Sequence, residues 1–151
     1  PQPKAKYAKK RLVHVDHLML YRPLFAAGAT VTLRTDSKPL RDYALGQFAA
    51  AGYDTLWVSD DVRRDHPEHP ETEYECRTRE MGAVVYGICA TPGEKPTEEQ
   101  LATGRAQEQS LACYLPDDLD ELTYVPLGME EAVENFKNRA RKGKKRLPQE
   151  S

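Results

Sequence analysis

One stretch in the first half of the chain constrains the fold more than any other, because its hydrophobic period changes twice within it. Residues 29–35 alternate apolar and polar side chains, which is typical of a strand with one buried face. Ser37 can cap a helix with Pro39 in its first turn, and apolar residues then recur at three- and four-residue spacing up to Gly52. Residues 54–59 again favour a strand. This order predicts a helix packed on a sheet, either as a right-handed crossover between parallel strands or across an antiparallel sheet.

The other segments complete the predicted architecture. Strand-forming residues predict further strands at residues 12–21, 74–79 and 82–89, the last two forming a hairpin. Thr97 and Gln100 have the spacing of a capping box, and a second apolar stripe begins near Met129, so two more helices are expected. The sequence therefore predicts an α+β fold: a small sheet of four to five strands, with one helix packed across it and two C-terminal helices.

The chain is expected to have three parts. Residues 1–11 form a disordered basic arm, residues 12–136 form a single α+β domain, and residues 137–151 form a basic C-terminal tail that continues the last helix. A body of this length is large enough to bury a hydrophobic core of its own.

Positive and negative charges are concentrated in different parts of the chain. Of the 22 Lys and Arg residues, 5 lie in residues 1–12 and 7 lie in residues 137–146. The remaining 10 lie in the body between them with 23 of the 24 Asp and Glu residues, so the body has a net charge of −13, although the whole chain has −2. Charge segregated in this way indicates a polyanionic partner.

This pattern predicts that the protein associates with nucleic acid or a nucleoprotein complex through phosphate contacts. Little sequence preference is expected, because no aromatic residues are interleaved with the basic ones of the tail. We expect a non-enzymatic accessory or adaptor protein. The residues expected to bind nucleic acid are Lys9, Lys10, Arg11, Lys137, Arg139, Arg141, Lys142, Lys144, Lys145 and Arg146.

Two other functions remain open. The first is a protein–protein interaction module, a structural subunit or regulator that docks on a larger complex through acidic segments at residues 60–75 and 117–121. The second is a small metal-dependent hydrolase. The zinc-type ligands for it are His66, His69, Cys76 and Cys89. Their spacing contains no C-x-x-C pair, so an exposed loop is favoured and no bound metal is expected.

No catalytic residue is predicted. His14 and Asp16 would share one face of the expected strand, but no nucleophile motif accompanies them. Residues 87–97 contain two glycines and a lysine between a strand and a helix, yet Pro92 and Pro96 remove amides that a phosphate would need. We therefore expect no cofactor.

The expected location is cytoplasmic. No apolar run approaches the roughly 20 residues that cross a bilayer, and no apolar signal core follows the first basic residues, so no membrane partner is predicted. The three cysteines are odd in number and widely spaced, which favours a reducing compartment over a disulfide framework.

Overall fold

A three-stranded antiparallel sheet organises the structure. The computed structural model describes the backbone of residues 3–146, and the side chains of these residues other than Glu121 and residues 143–146. The strands are β1 (Val31–Thr35), β2 (Tyr53–Ser59) and β3 (Tyr86–Pro92). β3 lies between the other two and is antiparallel to both, so β1 and β2 form the two edges and run in the same direction.

Helices account for most of the other regular structure in residues 3–146. The α-helices are α1 (Val15–Tyr21), α2 (Lys38–Ala50), α3 (Val62–Asp65), α4 (Glu73–Glu80), α5 (Glu98–Ala106) and α6 (Glu130–Arg146). Four 3₁₀-helices join them, at Ala5–Lys10, Arg22–Leu24, Leu111–Tyr114 and Leu119–Glu121. Within these residues no helix is both long enough and apolar enough to span a membrane.

The strand–helix–strand unit formed by β1, α2 and β2 is confirmed, as are the signals at the two ends of its helix. The Ser37 hydroxyl accepts a hydrogen bond from the Leu40 amide at 3.2 Å, and Pro39 lies in the first turn. Gly52 follows the helix with a φ of 74°, a conformation that glycine adopts without strain. The chain can therefore reverse directly into β2.

The hydrophobic core lies between α2 and one face of the sheet. Tyr43 and Phe48 of α2 and Ile88 of β3 are fully buried. The Phe48 ring meets the Tyr53 ring edge to face, with 5.4 Å between ring centroids. The buried Gln47 side chain accepts from the Val15 amide at 2.8 Å and donates to the Gly104 carbonyl at 2.7 Å, so it joins α1, α2 and α5.

The predicted sheet of four to five strands is wrong, because two of the expected strands are helices. Residues 15–21 form α1, which begins where the ring nitrogen Nδ1 of His14 accepts from the Asp16 amide at 3.1 Å. Residues 73–80 form α4 in place of the first strand of the expected hairpin. With six α-helices around three strands in residues 3–146, the expected single helix across the sheet with two C-terminal helices is also wrong.

The N-terminal segment contacts the body of the protein where the structure describes it. Residues 5–10 form a 3₁₀-helix, and the Leu111 amide donates to the Pro3 carbonyl at 2.9 Å. The guanidinium of Arg11 donates to the Gln109 carbonyl at 2.7 Å and lies 4.7 Å from the centre of the Tyr43 ring. These contacts fasten the segment to the body. The division of the chain into three parts remains a prediction.

The second face of the sheet is covered by the segment between β2 and β3. Side chains alternate along a strand, so Gly87 faces away from the core that contains Ile88. A Cβ atom at Gly87 would lie 2.9 Å from the Trp57 ring, which shows how closely this ring packs on the sheet. On the other edge, Arg34 of β1 contacts Glu75 of α4. The segment therefore crosses the sheet from β2 to β1.

Candidate functional site

The predicted basic residues of the tail lie on the last helix. Among those whose side chains are described, Lys137 is half-buried, and Arg139, Arg141 and Lys142 are exposed. Lys137 and Arg141 line a groove opposite Asp117–Asp120, although no ion pair between described side chains joins its two sides. The side chains of Lys144, Lys145 and Arg146 lie outside the described part of the chain. The prediction that these residues bind nucleic acid stays untested.

The N-terminal basic residues are placed differently from one another. Lys9 and Lys10 are exposed, and the Lys10 ammonium lies 5.6 Å from the centre of the Tyr7 ring. Arg11 is only 5 % exposed, and burial lowers its guanidinium pKa while the nearby Tyr43 partly offsets this effect. Lys9 and Lys10 are thus open to solvent, whereas Arg11 is held inside the fold.

The histidines near the chain start serve structure. His14 caps α1 and is 3 % exposed, and burial lowers the pKa of its ring. The ring nitrogen Nδ1 of His17 lies 2.8 Å from the Arg11 carbonyl oxygen, and its ring stacks on Tyr21. The Asp16 carboxylate pairs with Arg105 at 2.9 Å. No acid–base pair directed at a cavity results.

A buried carboxylate at the carboxyl end of β1 is the centre of a cleft that the sequence did not reveal. Asp36 is 7 % exposed, and one of its oxygens, Oδ2, accepts from the Tyr124 hydroxyl at 2.8 Å and the Leu127 amide at 3.3 Å. The other, Oδ1, accepts from the Tyr74 hydroxyl at 3.3 Å. A carboxylate oxygen accepts up to two hydrogen bonds, so Oδ1 keeps acceptor capacity.

A second carboxylate lies beside the first. Glu75 of α4 is 7 % exposed, and its Oε1 lies 3.2 Å from Nε of Arg34. Its Oε2 accepts from the Thr72 amide at 3.1 Å, while the Thr72 hydroxyl accepts from the Glu75 amide, which completes a capping box. Glu75 therefore stabilises the first turn of α4 and also supplies a fixed negative charge. We call the site formed by Arg34, Asp36, Tyr74, Glu75 and Tyr124 the Asp36 cleft.

Two adjoining cavities give the Asp36 cleft its volume. One, of about 300 Å³, lies over β1 and α4 and is lined in part by Arg34, Asp36 and Glu75. The other, of about 320 Å³, lies on the side of Tyr124 and is lined by Asp36 as well. Each is at the lower end of the volumes of small-molecule sites. Asp36 thus stands between two spaces that each accommodate a group the size of a nucleobase.

The two tyrosines of the cleft remain hydrogen-bond donors. Burial, and then the hydrogen bond to Asp36, raises the pKa of Tyr124 well above its usual range. Burial, and then the charge of Asp36, also raises the pKa of Tyr74. Both hydroxyls consequently keep their protons at neutral pH and hold Asp36 as an ordered carboxylate. The Tyr74 ring is half exposed at the mouth of the cleft.

The candidate metal ligands are only partly brought together. His66 and His69 lie close to each other and to Glu68, which was not among the ligands expected from the sequence. Cys76 on α4 and Cys89 on β3 do not belong to it. The prolines that follow His66 and His69 do not favour a compact zinc motif, but the two histidine rings still lie near each other.

Sequence reasoning missed the Asp36 cleft for an identifiable reason. Asp36, Glu75 and Tyr124 are separated along the chain, and no short motif joins them. One signal was available: Thr72 and Glu75 have the spacing of a capping box, like Thr97 and Gln100. It would have converted the expected strand at residues 74–79 into a helix.

Comparison with known proteins identifies similar enzymes. The chain is 32 % identical over 92 residues to a tRNA (guanine-N(7)-)-methyltransferase of Streptococcus equi subsp. zooepidemicus (strain MGCS10565), covering 60 % of this chain and 44 % of that protein. Proteins of the same name in Brevibacillus brevis and Alkaliphilus oremlandii are 30 % and 33 % identical over 93 and 91 residues, again 60 % of this chain, and 44 % and 43 % of those proteins. The chain thus spans less than half the length of these relatives. No protein-family model matches it.

These similarities overturn the functions expected from charge. The relatives are named as RNA-modifying enzymes, so the non-enzymatic adaptor is contradicted, and so are the protein-interaction module and the metal-dependent hydrolase. The physical reason for the error is that charge segregation reports on a partner and carries no information on chemistry. A nucleic-acid partner remains compatible with the relatives' names.

Proposed function

We propose that this chain forms the guanine-binding part of an enzyme that methylates N7 of a guanosine in tRNA. The observation that carries the proposal is the pair of fixed carboxylates, Asp36 and Glu75, in one cleft of a chain similar to tRNA (guanine-N(7)-)-methyltransferases. The chain spans less than half of those relatives, so the proposal concerns base recognition and leaves the other parts of such an enzyme unassigned.

The chemistry of guanine supports this assignment. Guanine carries its donors, N1–H and the N2 amino group, on the Watson–Crick edge, whereas N7 is an acceptor on the opposite side of the base. A carboxylate is an acceptor-only group and matches the donor edge. Adenine presents an acceptor at N1, so the same carboxylates would reject it. A base held by its donor edge directs N7 away from Asp36 and Glu75.

The absence of a recognisable acid–base motif in the sequence agrees with this reaction. N7 of guanine carries no proton, so its lone pair forms the new N–C bond directly and no base has to remove a proton. The methyl group is supplied by a donor molecule, which leaves with the electrons of the broken bond. The product ring is cationic, and nearby carboxylates favour the charge that develops. The work left to the protein is orientation and electrostatic stabilisation.

No residue of this chain is assigned to the methyl donor. The turn after β3 contains Gly93, but a Cβ atom there would lie 2.6 Å from Asp54 Oδ2, and the Gly93 carbonyl accepts from Arg22 at 2.6 Å. The Gly93 amide also donates to the Gly52 carbonyl at 2.8 Å, so the turn is closed by contacts within the chain. Within residues 3–146, the turns after β1 and β2 contain no glycine before the following helix.

The basic residues are assigned to the tRNA backbone. The body has a net charge of −13, which opposes the approach of RNA. Exposed Lys9, Lys10, Arg139, Arg141 and Lys142 offer the positive charge that phosphates require, and the remaining basic residues of the tail extend it. These contacts would position the RNA, and the Asp36 cleft would select the base.

A nucleotide titration followed by NMR tests the base-recognition proposal. We expect GMP to shift the amide resonances of Arg34, Asp36 and Glu75 in a saturable manner, and AMP at the same concentration to leave them unchanged. Glu75→Gln should weaken GMP binding, because the amide offers one acceptor in place of two and lacks the charge, while glutamine still completes the capping box.

The matched control is Glu73→Gln, an exposed position on the same helix, which should bind GMP as the unaltered chain does. Equal responses to GMP and AMP, or shifts confined to other parts of the chain, would overturn the proposal.

A further inference from the structure

The loop between α3 and α4 brings two histidines and a carboxylate to one point. Nδ1 of His66 lies 3.4 Å from Oε1 of Glu68, and Nε2 of His69 lies 3.9 Å from the same oxygen. One ligand atom from each of the three residues lies within 4.8 Å of the others. Four ligands at the usual Zn–N and Zn–O distances are about 3.4 Å apart, so the separations are close to those of a metal-bound set.

The surrounding structure holds the first histidine in place. The His66 ring stacks on the Trp57 ring with 4.0 Å between centroids and an interplanar angle of 25°. Trp57 is itself packed on Gly87 in the central strand. One imidazole of the group is therefore fixed on a rigid element before any ion binds, which lowers the entropic cost of binding.

The loop that carries the other two ligands is fastened at several points. The Arg63 guanidinium donates to the His69 carbonyl, and Arg34 donates to the Pro70 carbonyl at 2.8 Å. Pro67 and Pro70 each follow a histidine and disfavour the helical conformation at that residue. The positive charge of Arg63 opposes a cation nearby, and the Glu68 carboxylate offsets part of it.

The group is also accessible. The side chains of His66 and His69 are 24 % and 30 % exposed, and that of Glu68 is 67 % exposed, so an ion can enter from solvent. Two imidazoles and one carboxylate are ligand types that Zn²⁺ and its neighbours in the first transition series accept. The three residues leave one position of a tetrahedral site for water.

We propose that His66, Glu68 and His69 form a binding site for a divalent transition-metal ion of the zinc class. Through His66, which stacks on Trp57, the ion would fix one end of the loop against β2. The other end of the loop continues into Thr72, the N-cap of α4. The site is therefore a structural clamp on the segment that carries Glu75. This proposal stands independently of guanine recognition, because the three ligands lie outside the Asp36 cleft.

The single tryptophan of the chain makes the site directly observable. Titration of the purified, metal-free chain with ZnCl₂ should change the Trp57 fluorescence and saturate at one ion per chain, because the ion binds the ring stacked on the indole. CoCl₂ should give the visible absorption of tetrahedral Co²⁺ and broaden the amide resonances of residues 66–72. The titration contains no nucleotide, so its outcome is separate from that of the GMP experiment.

Two variants assign the ligands without disturbing the reporter. His69→Gln and Glu68→Gln leave the His66–Trp57 stack in place, and each should weaken Zn²⁺ binding by at least about tenfold. The control His17→Gln removes a histidine elsewhere and should retain full affinity. Unsaturable binding at millimolar metal, or equal affinity in His69→Gln and the unaltered chain, would overturn the proposal and leave the group as an aromatic packing cluster.

Discussion

Asp36 shows how an acidic side chain can be accommodated inside a fold. Its two oxygens accept three hydrogen bonds from the protein, one of them from a backbone amide, and these offset the loss of hydration. The Tyr124 donor comes from a segment 88 positions away along the chain. Because these donors come from distant parts of the chain, Asp36 has its hydrogen-bond partners only in the folded protein.

Asp65 is one residue whose ionisation should contribute to stability at low pH. Hydrogen bonds from Arg64, and then from Ser59, lower the pKa of this carboxyl to about 2. A group whose pKa is lower in the folded state stabilises the fold above its unfolded pKa, near 3.9, and loses that contribution as the pH falls through the folded value. We expect Asp65→Asn to lower the urea midpoint at pH 6, and the difference from the unaltered chain to shrink as the pH falls toward 2 and to vanish only below that value.

Arg64→Gln is the companion variant for this series. It removes the first partner of Asp65, so the pH-dependent part of the stability between pH 4 and pH 2 should shrink. A difference between Asp65→Asn and the unaltered chain that is the same at every pH would contradict the assignment.

At the scale of elements, the sequence identified helices and strands where local signals and packing agreed. The unit β1–α2–β2 was predicted because Ser37, Pro39 and Gly52 punctuate it and because its apolar stripe is the one that packs on the sheet. α1 was misread because Val13 and Val15 favour strands locally, whereas Val15 and Leu18, three residues apart, are both buried against the core. Tertiary packing decided this segment.

The candidate site was less predictable than the fold. Its chemistry depends on Asp36, Glu75 and Tyr124, which only the folded chain brings together. Of these, Glu75 alone carried a local signal, through its capping box with Thr72. Charge segregation was visible in the sequence and did suggest a polyanion, but it carries no information on which residues line a cleft.

The capping boxes of α4 and α5 allow a comparison between a helix that lines the Asp36 cleft and a helix that does not. Thr72→Ala removes the acceptor for the Glu75 amide and should destabilise the chain by about 1 kcal/mol. Thr97→Ala removes the equivalent bond at the start of α5, which lies away from the cleft, and should cost a similar amount. Urea unfolding measures both losses.

GMP affinity should separate the two variants. Thr72→Ala should weaken binding, because Glu75 loses the turn that orients it, whereas Thr97→Ala should leave affinity unchanged. Equal GMP affinity in both variants would show that the start of α4 does not orient the site.

For the whole molecule, the distribution of charge should control RNA binding. If about six phosphates are contacted, the logarithm of tRNA affinity should fall with the logarithm of salt concentration at a slope near −5. Replacing the seven basic residues of 137–146 with glutamine should flatten this slope while leaving GMP binding intact. Fluorescence anisotropy of labelled tRNA across a salt series measures it, and an unchanged slope would remove the basic tail from the account.

The orientation of a bound guanine shows whether the Asp36 cleft holds this base by its donor edge. In a crystal structure of the chain with GMP, we predict that N1–H and the N2 amino group lie within hydrogen-bond distance of the Asp36 or Glu75 carboxylates and that N7 faces away from both. A guanine bound elsewhere on the molecule, or one whose N7 is turned toward these carboxylates, would contradict the account.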